Sequence, residues 1–395
     1  MSNRLSSITD LRAWARRRDE LALSRSRVVV FVLVLAATLL VIGLGATLSA
    51  SSASGIIQES DRLAVFRRQA QWVAVGVCAM VIMAMVPYNW YRRIAPYALA
   101  LSFAGLVVTL MVGVRRGGAN RWLEFGDLTV QVSEFSKLAV IVFLAAVLAR
   151  RRDRLGEASQ WMGPMVFAVG GTCALIVWQP DLGTAIIVAG AAGVMVIAAG
   201  VPFRYIAGIG ATGLAVIGYA TYSLEYRRQR FLCFLDPLSD PSDACFQMIQ
   251  SLIALGSGHW LGVGLGASRS RWSYLPNPYT DFIFTIIGEE TGFIGATALL
   301  FALAGLSLVG VWVAYRTSDM FARLLASGIT AWLGVQSLVN VGGAVGAIPV
   351  TGLALPLVSV GGSAMVVAMA GVGILVNVAR NAPHVPDPAL KRRTQ

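Results

Sequence analysis

The sequence predicts an all-α, polytopic membrane fold with ten transmembrane helices and a long outer loop between helices 7 and 8, and three observations carry that prediction. Hydrophobic residues make up 56% of the 395 and charged residues only 13%, where a soluble domain carries about 25% charged residues. The mean hydropathy is +0.70. Apolar runs long enough for a helix to cross a bilayer, about 20 residues, recur ten times, and an open sheet cannot satisfy its backbone in lipid.

The runs lie at about 28–50, 69–87, 95–114, 134–150, 164–179, 182–201, 205–223, 281–312, 323–348 and 358–379. The first has an arginine-rich leader but is too long for the apolar region of a signal peptide, so it is read as a retained helix. The fifth and sixth are separated only by "QPDLG" (179–183), where Pro180 stops the preceding helix and Gly183 permits a tight reversal. This gives a basic cytoplasmic segment (1–27), a ten-helix membrane domain (28–380) with an extracytoplasmic loop at 224–280, and a cytoplasmic tail (381–395).

Ten spans place both termini on one side, and the arginine and lysine distribution says which. The N-terminal segment, the even-numbered connections and the tail hold 20 of the 32 basic residues, so the termini are expected in the cytoplasm. The net charge of +12 is therefore a topology signal, and nucleic acid is not an expected partner. The remaining 12 sit on the outer side, and nine of them fall in the outer connections between helices 3 and 4 and between helices 7 and 8: Arg115, Arg116, Arg121, Lys137, Arg227, Arg228, Arg230, Arg269 and Arg271. That concentration reads as a cradle for an anion at the membrane surface, against the plain alternative of solvated loops and lipid-headgroup contacts.

The fourth outer connection, 224–280, is too long to be a mere link. Its "GSGHWLGVGLG" (256–266) allows close backbone approach, to a ligand or in re-entrant packing; ordinary turns are the plain alternative. Cys233 and Cys245 both lie there and can pair in an oxidising exterior. Asp236, Asp240 and Asp243 stand among prolines, where Asp-Pro turns explain them more simply than a metal does. With only His259 and His384 in the chain, nucleophilic triads and zinc centres lack parts. Chemistry must come from carboxylates, arginines and amides.

Asp281 begins the eighth run at its outer edge, as a reactive carboxylate or as a helix N-cap. Glu289 and Glu290, counted along a straight helix, would lie about 12 to 14 Å deeper, as functional acids or as interhelical hydrogen-bonding groups. In "RWLEFGDLTVQVSEFSKL" (121–138), Ser133 is the expected N-cap of the fourth helix, and Glu134 and Lys137 share a face at i and i+3, where they can pair near the interface.

The ordered set "RWLEFGDLTVQVSEFSK", "QPDLGT", "YRRQRFLCFLDPLSDP", "QMIQSLIALGSGHWLGVGLG", "YLPNPYTDFIFTIIGEETGFIG" and "PVTGLALPLVSVGGSA" resembles the SEDS family of bacterial shape, elongation, division and sporulation proteins. Within it, the motifs are more similar to the division branch (FtsW) than to the elongation branch (RodA). The resemblance implies a peptidoglycan glycosyltransferase that polymerises lipid II at the outer face of the plasma membrane. It also implies a class B penicillin-binding protein and other divisome proteins as partners, a place at the septum, and a divalent cation such as Mg2+. It puts the catalytic base at Asp281, and substrate contacts at Arg121, Trp122, Glu134, Lys137, Asp181, Arg228 and Arg230. The quoted motifs add Gln250, Thr280 and Ser359. Asn277, Tyr279, Val132, His259 and Val360 depart from the family's usual residues. A lipid II flippase, an elongation polymerase and a non-catalytic divisome scaffold are the competing expectations.

Overall fold

The computed structural model describes residues 26–49, 63–116, 119–126, 128–238, 240, 245–268 and 279–383. Arg269, Arg271, Asp243, Asn277 and His384 lie outside the described residues. Among the described residues, ten helical segments are long and apolar enough to cross a membrane. The first three are α1 (Ser26–Ser49), α2 (Ala64–Met85) and α3 (Tyr88–Val112). A small sheet of β1 (Val114–Arg116), β2 (Ala119–Phe125) and β3 (Leu128–Val130) then leads to α4 (Val132–Arg150). The fifth span combines α5 (Ala158–Met165), a π-helical turn (Val166–Gly170) and α6 (Gly171–Trp178). After α7 (Leu182–Ala199) and α8 (Phe203–Tyr222), two short helices, α9 (Glu225–Leu235) and α10 (Phe246–Ser257), occupy the long connection. The last spans are α11 (Ile283–Arg316), α12 (Met320–Ala344) and α13 (Gly362–Asn381).

Burial sorts the helices by their polar content. α4, α12 and α13 are largely enclosed by their neighbours, and they carry Glu134, Lys137, Gln336, Asn340 and Asn377, all buried. Such groups are costly against lipid and need protein partners. On α8, by contrast, only Ala220 is buried. The amide of Asn377 shows how an inner polar residue is used: it donates to the carbonyls of Met83 (3.1 Å), Ala84 (3.0 Å) and Val86 at the end of α2, where a helix leaves carbonyls without internal partners. α2 and α13 pack closely because Gly373 has no side chain; a Cβ there would stand 2.2 Å from the Met80 carbonyl oxygen.

The sheet is an addition to the expected all-helical fold. Its strands are antiparallel, with Val114 opposite Trp122 and Leu123 opposite Val130. The turn between β2 and β3 carries Gly126 at φ 62°, a backbone form that favours glycine in two-residue hairpins. α4 begins at Val132 rather than being capped by Ser133: the cap position is Gln131, with no side-chain cap. Ser133 instead accepts a hydrogen bond from the Gln131 side chain at 3.1 Å.

The largest departure from the straight-helix expectation is in α11. Gly292 adopts φ 69°, ψ −167° and breaks the helix. From Phe293 to Arg316 there remain 24 residues, about 36 Å at 1.5 Å each, enough to cross the hydrocarbon core unaided. The preceding half-helix is therefore extra to the span, and Glu289 and Glu290 do not reach its middle. Glu290 accepts from Ser49 at the end of α1, and Glu289 from Ser268 at 2.6 Å. The backbone groups freed by the break are taken up by the glycine-rich loop. Val263 and Gly264 donate to the carbonyls of Glu289 and Glu290 (3.0 and 3.1 Å), while Phe293 and Ile294 donate to those of His259 and Trp260 (2.8 and 3.3 Å). Close backbone packing against α11 is what two of these glycines serve: a Cβ on Gly258 would stand 2.2 Å from the Gly288 carbonyl oxygen, and one on Gly262 2.1 Å from that of Glu290. Cys233 and Cys245 form a disulfide with Cα atoms 5.2 Å apart, joining α9 to the start of α10.

Candidate functional site

A cavity of about 730 Å³ opens where β2, α4, the start of α7, α8, α9, the start of α11 and the 348–354 loop converge. One wall is apolar, built from Leu214 and Ile217 of α8 with Val339, Ile348 and Pro349. The lining also carries charge, from Arg121, Glu134, Asp181, Arg227, Arg230 and Asp281.

Each charged group is placed by a local feature. Asp181 is the N-cap of α7: its carboxylate accepts from the Thr184 amide at 3.1 Å and the Thr184 hydroxyl at 2.9 Å. Gln131 donates at 3.3 Å to the oxygen that accepts from the Thr184 hydroxyl, and Arg121 stands 3.9 Å from the other oxygen. Arg121 also donates to the carbonyls of Gln179 (3.2 Å) and Pro180, so the edge of β2 is fastened to the turn before α7. Glu134 and Lys137 do pair, at 2.8 Å, but both are buried, with relative exposures of 4% and 1%. Lys137 further donates to Gln336 at 2.9 Å and lies 5.2 Å over the Trp332 ring. The contact is ionic, since Glu134 Oε2 is buried and receives no hydrogen bond among the described residues. Lys137 thus sits behind the cavity wall and neutralises Glu134 from there.

α9 explains which arginines face inward. Residues three apart share a helical face, and residues one or two apart do not. Arg227 and Arg230 line the cavity. Arg228 points away, paired with Glu225 at 2.6 Å on an exposed face. Arg227 is fixed by the carbonyls of Ala220 (3.1 Å) and Val177 (3.3 Å), and Arg230 by that of Val350 (3.2 Å). Burial lowers the pKa of Arg227, and the neighbouring Arg121 adds to this while Asp181 opposes it. A cation short of water and beside another cation gains from an incoming anion.

Asp281 is not a helix cap: α11 starts at Ile283, with Phe282 at the cap position and no side-chain cap bond. Three successive carbonyls hold its segment in place. That of Tyr279 accepts from the Val360 amide (3.0 Å), that of Thr280 from the Ser359 hydroxyl (2.6 Å), and that of Asp281 from Asn340 (2.9 Å). The carboxylate is thereby turned into the cavity beside Arg230: a Cβ placed on Gly352 would lie 3.4 Å from Asp281 Oδ2 and 3.8 Å from Arg230 Nη1. Asp281 is only half-buried by surface, yet its open side faces this enclosed space, and desolvation pushes its pKa up. A Thr280 hydrogen bond, Arg230 and Arg121 pull the other way, and Asp181 adds to the rise.

Of the residues expected at the site, Asp281, Arg121, Trp122, Glu134, Asp181, Arg230 and Thr280 line the cavity. Lys137, Arg228, Gln250 and Ser359 do not line it. Arg228 faces outward, and Ser359 is buried and bonds backbone, donating to the Thr280 carbonyl and accepting from the Leu355 amide at 2.8 Å. Gln131 and Asn340 are not among the residues the sequence singles out, and Arg227 stands there only among the outer arginines of the anion cradle, not among the substrate contacts. Helical spacing within "YRRQR" signals Arg227, whereas nothing local marks the other two. As for a divalent cation, among the described residues no three potential ligands cluster. Asp181 is committed to Thr184, Gln131 and Arg121, and Glu134 to Lys137, so these donors do not make a metal cage.

The comparisons agree with this architecture. A family model for FtsW, RodA and SpoVE, described as a cell cycle protein, matches residues 29–384. Stage V sporulation protein E of Bacillus subtilis is 36% identical over 351 residues, 88% of this chain and 96% of the relative. A probable peptidoglycan glycosyltransferase FtsW of Geobacter metallireducens is 35% identical over 360 residues, 90% and 95% of the two chains. Among solved structures, Thermus thermophilus RodA is 26% identical, with a TM-score of 0.66 over 89% of this chain and 96% of its own. A chain from a structure described as structural coordination of polymerization and crosslinking by a peptidoglycan synthase complex is 30% identical, with a TM-score of 0.73 over 89% and 97%. With ten spans, this cavity and a match over most of its length, the chain belongs to the FtsW/RodA/SpoVE family.

Proposed function

We propose that this chain is a peptidoglycan glycosyltransferase that polymerises lipid II, with Asp281 as general base. One observation carries the reading: a single cavity combines Asp281, three arginines and apolar side chains. A polyprenyl-diphosphate sugar has the matching parts, a lipid tail for α8 and the 348–350 segment and an anionic diphosphate for Arg121, Arg227 and Arg230. With Glu134 neutralised by Lys137 and Asp181 by Arg121, the two remaining arginines exceed the one remaining carboxylate. The site suits an anion.

In the reaction, the 4-hydroxyl of the acceptor sugar attacks C1 of the donor and its proton passes to the Asp281 carboxylate. The new C–O bond forms as the bond from C1 to the diphosphate oxygen breaks, and the polyprenyl diphosphate leaves with the electron pair. In-line displacement inverts C1 and gives a β-1,4 linkage. The raised pKa makes Asp281 a stronger base than an exposed aspartate. Arginines already in place meet the charge that develops on the leaving group.

The basic-residue bias supports an outward-facing cavity with cytoplasmic termini in the plasma membrane. The synthase-complex neighbour supports a class B penicillin-binding protein as partner, and the FtsW relatives support work at the division septum. The test is a glycan-strand gel with purified lipid II, comparing wild type with Asp281→Asn, each co-purified with the cognate transpeptidase. Strands should form with the first and vanish with the second. Equal strands from both would remove the base assignment, and transbilayer movement of lipid II without strands would favour a flippase.

A further inference from the structure

We infer that Asn340 is a positioning residue that sets the separation between Asp281 and Arg230, by tying the backbone of the first to the loop that holds the second. The inference rests on the reading of Asp281 as the base. Asn340 lies on α12 with 5% exposure. Its amide donates to two carbonyls, that of Asp281 at 2.9 Å and that of Leu353 at 2.6 Å. Leu353 follows Gly352, the residue whose Cα faces both the Asp281 carboxylate and the Arg230 guanidinium. Arg230 in turn donates to Val350 of the same loop. One NH2 group therefore spans the two sides of the reacting corner.

The acceptor side of Asn340 is idle. Its Oδ1 is buried and receives no hydrogen bond among the described residues, so the residue works only as a double donor. Its helix gives it a fixed frame. One turn earlier, Gln336 donates to the Ala354 carbonyl at 2.7 Å and is itself held by Lys137 and by Trp332 Nε1 (2.8 Å). The loop is thus pinned at the consecutive carbonyls of Leu353 and Ala354, and Asn340 carries that register across to the Asp281 carbonyl itself, beside the neighbouring link that Ser359 makes between Leu355 and Thr280. Backbone placement to a fraction of an ångström is what proton transfer from a bound hydroxyl requires.

The test uses the full chain with its partner and lipid II, measuring kcat, KM and the pH profile for wild type, Asn340→Leu and Asn340→Asp. The aspartate keeps the shape, donates at most one hydrogen and does so only when protonated, which keeps the test readable if the leucine variant fails to fold. The groups facing the Asp281 carboxylate are Thr280, Arg230, Arg121 and Asp181. Release from Asn340 lets the carboxylate fall back from the two arginines. The expected result is a kcat lower by about tenfold or more, KM within about twofold, and an acidic limb moved to higher pH. A rate reduced by one factor at every pH, with the limb unmoved, reports only fewer folded molecules and overturns the inference, as does unchanged turnover. If Asp281→Asn in the same series keeps its turnover, the base assignment fails instead.

Discussion

Gly352→Ala is the most informative perturbation of the reacting corner. Gly352 has φ 73°, and an alanine there pays about 1–2 kcal/mol for the left-handed backbone. Its methyl would meet Asp281 Oδ2 at 3.4 Å and Arg230 Nη1 at 3.8 Å. Both are ordinary van der Waals distances, so no steric penalty is added to the backbone cost. The fold should survive with a modest fall in unfolding midpoint. The reaction should not be so tolerant. A hydroxyl hydrogen-bonded to Asp281 sits about 2.7–2.8 Å from its oxygen, and the methyl crowds that approach by occupying contact range of both partners. A displacement of about 1 Å in a reacting group costs on the order of 10²-fold. The assay is lipid II polymerisation under saturating substrate, with thermal unfolding on the same sample. Full turnover in a measurably destabilised variant would show that the acceptor hydroxyl does not enter beside Gly352, and the proposed geometry would be wrong.

Other perturbations separate the remaining parts. Arg227→Gln removes a cation with 9% exposure, and the loss of a charge-assisted hydrogen bond, about 1.5–3 kcal/mol, should weaken diphosphate-substrate binding by roughly 10- to 100-fold in an equilibrium binding assay. Turnover should fall on the acid side with a midpoint above the ordinary aspartate value of 3.8, because protonated Asp281 cannot accept a proton and burial raises its pKa. Arg230→Gln, which takes away a cation that favours the ionised form, should move that limb higher still in a kcat–pH series. Gly292→Ala would bring a Cβ to 2.3 Å from the Gly262 nitrogen at a φ of 69°. Both backbones must then shift, and the cost should exceed about 3 kcal/mol in thermal or denaturant unfolding.

Much of this fold was legible because lipid imposes one rule on every span. Each of the ten apolar runs of the sequence falls on one of the ten helical segments long and apolar enough to cross a membrane among the described residues, and the chain breaks at "QPDLG" between α6 and α7. The break in α11 was not legible. A glycine inside an apolar run is common in membrane helices, and only the contact with the 258–264 backbone shows that Gly292 has left the helix. The site divides in the same way. Asp281 and Asp181 could be found because each sits at the end of a segment, where a polar residue beside an apolar run stands out, and Arg121 because basic residues concentrate in its outer connection. The "RxR" pair of the motif points to Arg228 and Arg230, and a linear motif carries no information about which residues share a helical face. Once 225–235 is helical, residues 227 and 230 share the inner face. Asn340 and Gln131 act through backbone and side-chain partners as far as 59 and 232 residues away, and no local pattern encodes that.

The central claim is that one carboxylate removes a proton while the arginines hold the diphosphate. Measuring substrate affinity and single-turnover rate on the same sample of Asp281→Asn tests both halves together. The account predicts affinity within a few-fold of wild type and a rate lower by about 10²–10⁴-fold. A variant that binds and turns over like wild type, or one that loses binding in proportion to rate, would contradict it.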